Sequence, residues 1–134
     1  MSTRQPATGS IVWTDLSVPP EKVPAIRDFY EAVTGWKSVP VNMGSYDDFN
    51  MTLPETGKTV AAICHAKGGN AGLPAQWLMY IVVENLDVSV AECWAQGGRV
   101  LVGPKDVGNG ERFCVIRDPA GAVAALIQEN PAHA

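Results

Sequence analysis

Residues 49–63, FNMTLPETGKTVAAI, and residues 113–126, FCVIRDPAGAVAAL, say the same thing twice. In each copy a Phe is followed eight positions later by a Gly, at Phe49 and Gly57 and again at Phe113 and Gly121. The copies then close on Val60-Ala61-Ala62-Ile63 and Val123-Ala124-Ala125-Leu126. An apolar strand and an amphipathic helix precede each. A period of roughly 60 residues inside one small chain means two copies of one supersecondary unit.

Working outward, Ile11 to Val18 is β-rich and reads as a first strand. Pro19-Pro20 ends it, and Val23, Ile26, Phe29, Tyr30 and Val33 recur at helical spacing until Gly35. Trp36 to Val41, Asp48 to Leu53 and Thr59 to His65 read as three more strands, with turn chemistry at Pro54-Glu55-Thr56-Gly57. The second half repeats the order: a strand Trp77 to Val83, then a helix capped by Asp87 that ends at Gly97-Gly98. A strand Arg99 to Val102 and a loop Lys105 to Gly110 follow, then a hairpin of Glu111 to Arg117 with Ala122 to Gln128 across Asp118-Pro119-Ala120-Gly121. Val90, Ala91 and Trp94 are expected to form the buried stripe of the second helix, and Phe29, Tyr30 and Trp94 to pack helix on sheet. The fold class is α+β: two tandem β-α-β-β-β modules with helices on one face of each sheet. The expected layout is a tail at 1–9, one domain at 10–129, and a tail at 130–134. The domain comprises a first module at 10–65, a Gly/Pro-rich linker at 66–76 and a second module at 77–129.

The totals agree with one globular domain: 134 residues, 46% hydrophobic and 18% charged. A net charge of −4 without a Lys/Arg stripe speaks against a nucleic-acid partner. No apolar run reaches the about 18 to 20 residues of a membrane span, and the start lacks an apolar signal core. Cytoplasmic residence and no membrane partner are expected. The three cysteines, Cys64, Cys93 and Cys114, show no CxxC spacing and read as reduced thiols.

The doubled unit, with Val12-Trp13-x-Asp15-Leu16, Phe29-Tyr30, Gly35-Trp36, Gly110-x-Arg112-Phe113 and Asp118-Pro119-x-Gly121, resembles the vicinal oxygen chelate superfamily over residues 10 to 129. That superfamily includes glyoxalase I, bleomycin resistance proteins, fosfomycin resistance enzymes, methylmalonyl-CoA epimerase and extradiol dioxygenases. The resemblance implies cup-shaped sheets with the site inside them. In the metal-dependent members, the first and last strands of each half supply His, Gln or Glu ligands. Carried over by motif, those positions are Thr14, Tyr80, Ala62 and Ala125. Alanine has no donor atom, and a neutral hydroxyl or phenol is a poor ligand. The expectation is therefore no metal and no cofactor; His65 and Glu129 are the donors that lie late in the two last strands.

Strand alternation gives a lining. With Thr14 and Tyr80 inward, Val12, Leu16, Leu78 and Val82 share their faces, while Trp13, Ile81 and Val83 point toward the helices. Pairing the last hairpin as Arg117 with Ala122, Ile116 with Val123, Cys114 with Ala125 and Arg112 with Ile127 puts Cys114 and Arg112 inward. The repeat then adds Asp48, Asn50 and Thr52, and Ala62 and Cys64 complete the set. The candidate ligand-binding residues are thus Thr14, Leu16, Asp48, Asn50, Thr52, Ala62, Cys64, Leu78, Tyr80, Arg112, Cys114 and Ala125, an apolar floor with a few polar groups. No Ser-His-Asp set, phosphate loop or dinucleotide fingerprint is present.

Three functions follow. The first is a non-catalytic binder of a small organic molecule, similar to the bleomycin-resistance branch. The second is a lyase, isomerase or dioxygenase of the glyoxalase type, metal-dependent or using Tyr80 and Arg112 without metal. The third is an interaction module, a homodimer whose chains could exchange halves about the 66–76 linker.

Overall fold

The computed structural model describes residues 6–130. The expected tails and His133 fall largely or wholly on residues 1–5 and 131–134, outside the described residues. The chain divides into two compact units, Trp13–Trp77 and Leu78–Ala134 with Met1–Val12. Both are β-α-β-β-β, so the fold class is α+β as the repeat requires.

The first unit is built from β1 (Ile11–Val18), α1 (Val23–Thr34), β2 (Lys37–Asn42), β3 (Asp47–Thr52) and β4 (Thr59–His65). Its strands run in the order β2-β3-β4-β1, with β4 parallel to β1 and the other pairs antiparallel. A 3₁₀ turn at Pro20–Lys22 leads into α1, and Gly35 in the left-handed region (φ 82°) stops it. Val23, Ile26 and Tyr30 of α1 pack on Leu16, Val18, Phe49, Met51, Ala61 and Ile63 of the sheet. Trp36 and Trp77 close this core, and Trp77 Nε1 donates to the Tyr30 hydroxyl at 2.9 Å.

The second unit is built from β5 (Trp77–Val82), α2 (Leu86–Ala95), β6 (Arg99–Asp106), β7 (Arg112–Arg117) and β8 (Val123–Gln128), in the order β5-β8-β7-β6. Its N-terminal residues are tied in: Gly9 donates to Val82 O, and Val82 donates to Ser10 O. Leu86 and Val90 of α2 pack on Ile81, Val83, Val100, Cys114, Ile116 and Leu126.

Several local expectations change. Asn85 caps α2, its side chain accepting from Val88 N–H at 3.1 Å, so Asp87 sits inside the first turn. The helix therefore turns Leu86 and Val90 to the sheet, leaving Ala91 exposed and Trp94 53% exposed. Phe29 is likewise 53% exposed, because α1 presents Val23, Ile26 and Tyr30 instead. β6 runs four residues past Val102, through two register shifts against β7. Gly103 makes that possible: a Cβ there would lie 2.8 Å from Phe113 O.

Candidate functional site

Each unit has one sheet face covered by its helix and one that is not. The covered face is fixed by the cores above, and the pairings fix the other.

In the first unit, Asp15 pairs with Ala62, Ala62 with Asn50, and Asn50 with Val39, so these four form one row on the face away from α1. Ser17 and Cys64 are paired neighbours on the same face. Asp48 follows from Asn50 by alternation. Thr52, beyond a register shift after Met51, donates its hydroxyl to Lys37 O at 2.9 Å. Thr14 and Leu16 go the other way: Leu16 pairs with Ile63 inside the α1 core, and Thr14 shares its side of β1. Both are corrections. β1 stands one residue out of phase with the expected alternation, which also turns Trp13 from the helix side to the side away from α1.

The groups on this face are polar and acidic. Trp13 Nε1 donates to Asp15 Oδ2 at 3.3 Å. Asp48 Oδ1 accepts from both the backbone N–H and the Nδ1 of His65, each at 2.9 Å. The His65 ring lies 4.3 Å from that of Tyr46, whose face also receives the Lys67 ammonium at 4.3 Å. Burial, then the charges of Asp15 and Asp48, push the Cys64 thiol up to about 12. Cys64 is therefore a neutral thiol and no nucleophile.

In the second unit, Tyr80 pairs with Ala125 and Ala125 with Val115, while Ile127 pairs with Val82 and Phe113. Leu78 and Tyr80 share a side of β5 by alternation, and the Tyr80 and Phe113 rings lie 6.2 Å apart. This face is apolar around the Tyr80 hydroxyl, and Arg117, paired with Val123 and Arg99, stands at its end. Cys114 and Arg112 do not belong to it. Cys114 pairs with Leu126 in the α2 core, and Arg112 forks onto Asp87 of α2 with two hydrogen bonds of 3.1 Å. The expected register was one residue short, because the hairpin closes over Asp118 to Ala122. Asp118 N–H donates to Ala122 O, and Asp118 Oδ1 accepts from the N–H groups of Ala120 and Ala122. A slip of one residue exchanges faces. Burial pushes the Cys114 thiol up to about 11. Glu129, after β8, shares a hydrogen bond with Glu111; that bond, then burial and the Glu111 charge, push its carboxyl up to about 7.

The structure thus places Asp48, Asn50, Ala62 and Cys64 on the first sheet's face away from α1, and Leu78, Tyr80 and Ala125 on the second sheet's face away from α2; Ala62, Leu78 and Ala125 are buried there. Sequence reasoning missed Trp13, Asp15, Ser17, Phe113 and Val115 there. A signal existed in β1: Asp15 and Ser17 alternate with Leu16 and Val18, and the apolar pair nearest a helix is the pair it covers. At the centre of each face a last-strand position, Ala62 or Ala125, presents only a methyl group. Among the described residues, no three His, Cys, Asp or Glu side chains cluster as ligands of one metal ion. No described helix is long and apolar enough to cross a membrane.

Residues 11–126 match the sequence profile of the Glyoxalase/Bleomycin resistance protein/Dioxygenase superfamily. The chain is similar to the putative glyoxylase CFP32 of Mycobacterium bovis, 27% identical over 92% of this chain and 46% of that one. It is also similar to the anthracycline biosynthesis protein DnrV of Streptomyces peucetius, 32% identical over 90% of this chain and 47% of that one. The chain therefore spans about half the length of these curated relatives. In fold it is similar to methylmalonyl-CoA epimerase from Mycobacterium tuberculosis, with a TM-score of 0.53 at 16% identity over 96% of this chain and 95% of that one. From its two β-α-β-β-β units and this match over residues 11–126, the chain belongs to the glyoxalase/bleomycin resistance/dioxygenase superfamily.

Proposed function

We propose that the chain binds a small organic molecule on the faces its helices leave open, without a catalytic metal. The observation that carries the reading is the pair of central methyls, Ala62 and Ala125, on paired strands where a chelating member would need donor atoms. The other groups do not make up the deficit. Cys64 stays protonated, Asp48 is engaged by His65, and Tyr80 stands beside Ala125 and Phe113. A methyl group takes up less space than the His, Gln or Glu side chain of a chelating member, and an apolar surround with a few fixed polar groups suits an organic ligand.

Calorimetric titration with a panel of aromatic metabolites tests it, planar polycyclic compounds included because two relatives are named for anthracycline biosynthesis. Saturable binding is expected, with a loss of about tenfold or more in Ala62→Leu and Ala125→Leu, whose added methylenes occupy the space. Near-stoichiometric Zn, Ni, Mn or Fe in protein purified without chelator would overturn the reading.

One observation favours a second reading, a metal-free lyase or isomerase. Asp48 fixes the Nδ1 side of His65, the arrangement that prepares an imidazole for proton transfer. Turnover lost in both His65→Gln and Asp48→Asn would support it.

A further inference from the structure

Five arginines occur in the sequence, and four lie among the described residues. Two are engaged: Arg27 pairs with Asp28 at 2.9 Å, and Arg112 pairs with Asp87 at 3.1 Å and Asp106 at 3.6 Å. The other two, Arg99 and Arg117, have no acidic or hydrogen-bonding side-chain partner among the described residues, and they are directly opposite each other in the β6–β7 ladder. Like charges facing across an antiparallel pair repel, and the ordinary remedy is a carboxylate between them. Here they line a cavity of about 320 Å³ with Gly97, Pro119, Ala120 and Gly121.

The local backbone builds this juxtaposition. Gly97, in the left-handed region (φ 91°), ends the passage out of α2, and Gly98 runs against the end of β7. A Cβ on Gly98 would lie 2.7 Å from Cys93 Sγ and 3.0 Å from Arg117 O. Only glycine lets the chain pass this close and deliver Arg99 opposite Arg117. Asp118 also lines the cavity, but its Oδ1 is held by the N–H groups of Ala120 and Ala122, and no ion pair forms between it and either arginine. The backbone donors nearby are used as well: Gly97 N–H on Trp94 O, Gly98 N–H on Cys93 O, and Gly121 N–H on Asp118 O. What remains to offer a ligand is two guanidinium forks.

We propose that the cleft at the end of the β6–β7 ladder is an anion site, in which Arg99 and Arg117 together clasp the phosphate or carboxylate group of a small molecule. Planar guanidinium forks match both groups bidentately, and a shared oxyanion turns the repulsion between the arginines into a bridge. A cavity of this size admits a small oxyanion-bearing molecule rather than a polymer. Arg117 pairs with Val123 and alternates with Val115 and Phe113, so the cleft lies at the end of the second unit's face away from α2, and its two arginines hold an anion whether or not the centre of that face takes a ligand.

Calorimetric titration with inorganic pyrophosphate and, separately, citrate at about 20 mM ionic strength tests it, low salt being needed because screening weakens exposed charge pairs. One saturable site is expected, with pyrophosphate or citrate the tighter probe according to whether the group is phosphate or carboxylate. Arg99→Gln and Arg117→Gln should each weaken it about tenfold or more, since each removes a charge-assisted fork. Lys58→Gln in the first unit removes the same charge and should leave it within twofold. Arg99→Lys keeps the charge without the fork and should fall between. Removing one of two facing like charges does not endanger folding, so ligand-free Arg99→Gln should melt no lower than the unsubstituted protein. Absence of saturable binding to either probe, or an equal loss in all three Gln variants, would overturn the proposal.

Discussion

Glu129 and Glu111 share a hydrogen bond that one of them must make with a proton, and this fixes the sign of a pH effect. The Glu129 carboxyl is raised from 4.5 to about 7, first by the bond to Glu111, then by burial and by the Glu111 charge. The folded state therefore binds more protons than the unfolded chain between those values. Stability from this pair is complete below about 4.5 and is lost as pH rises through about 7. Thermal melts from pH 4.5 to 8 should show this decline, and Glu129→Gln should flatten it; an unchanged slope in the variant removes the pair as the cause. Cys64 offers a second test at this scale. With its thiol pushed up to about 12, it should resist iodoacetamide at pH 9 in the folded protein and react once unfolded. Rapid native labelling mapped to Cys64 by mass spectrometry would contradict its placement between Asp15 and Asp48. These two residues also show what could be read without coordinates. Ala62 and Ala125 were legible as central positions because the Val-Ala-Ala triplets align the repeat correctly. The pairing of Glu129 with Glu111 was not, since it depends on how far β7 and β8 extend.

At the scale of the element, alternation was legible and phase was not. Strand, helix and turn chemistry places the eight strands and two α-helices of the described residues near their observed positions, since each is set by local pattern. Which face each strand shows depends on counts that loops and bulges alter. Phe49 and Phe113 are 64 residues apart, whereas the Val-Ala-Ala triplets are 63 apart. Phe49, opposite Ile63, lies in the α1 core; the residue in the corresponding place opposite Leu126 is Cys114, not Phe113. The register shift after Met51 and the long Asp118–Ala122 closure absorb the difference. The closure over Asp118–Ala122 moves the hairpin register by one residue and so takes Cys114 and Arg112 to the α2 side. Two substitutions check the elements as observed. Ile63→Ala removes a side chain with no exposure at the centre of the first core and should cost about 2–5 kcal/mol in urea unfolding. Asn85→Ala should cost about 1 kcal/mol by uncapping α2, whereas Asp87→Ala should not lose the cap and should instead free Arg112. Equal losses with no change at Arg112 would return the cap to Asp87.

At the scale of the whole molecule, apolar side chains left in water point to self-association. Each unit leaves two on its helix more than half exposed, Phe29 and Val33 on α1 and Val88 and Trp94 on α2. A closed pair related by a two-fold axis is the commonest way for one chain to cover such area. We therefore expect a homodimer at micromolar concentration, with a sedimentation mass near twice the 14.3 kDa of the chain. Because association stabilises only the folded partner, the melting temperature should also rise with protein concentration. A species of single-chain mass at every concentration, melting at one temperature throughout, would show that one copy suffices and that the exposed helix residues serve something other than self-association.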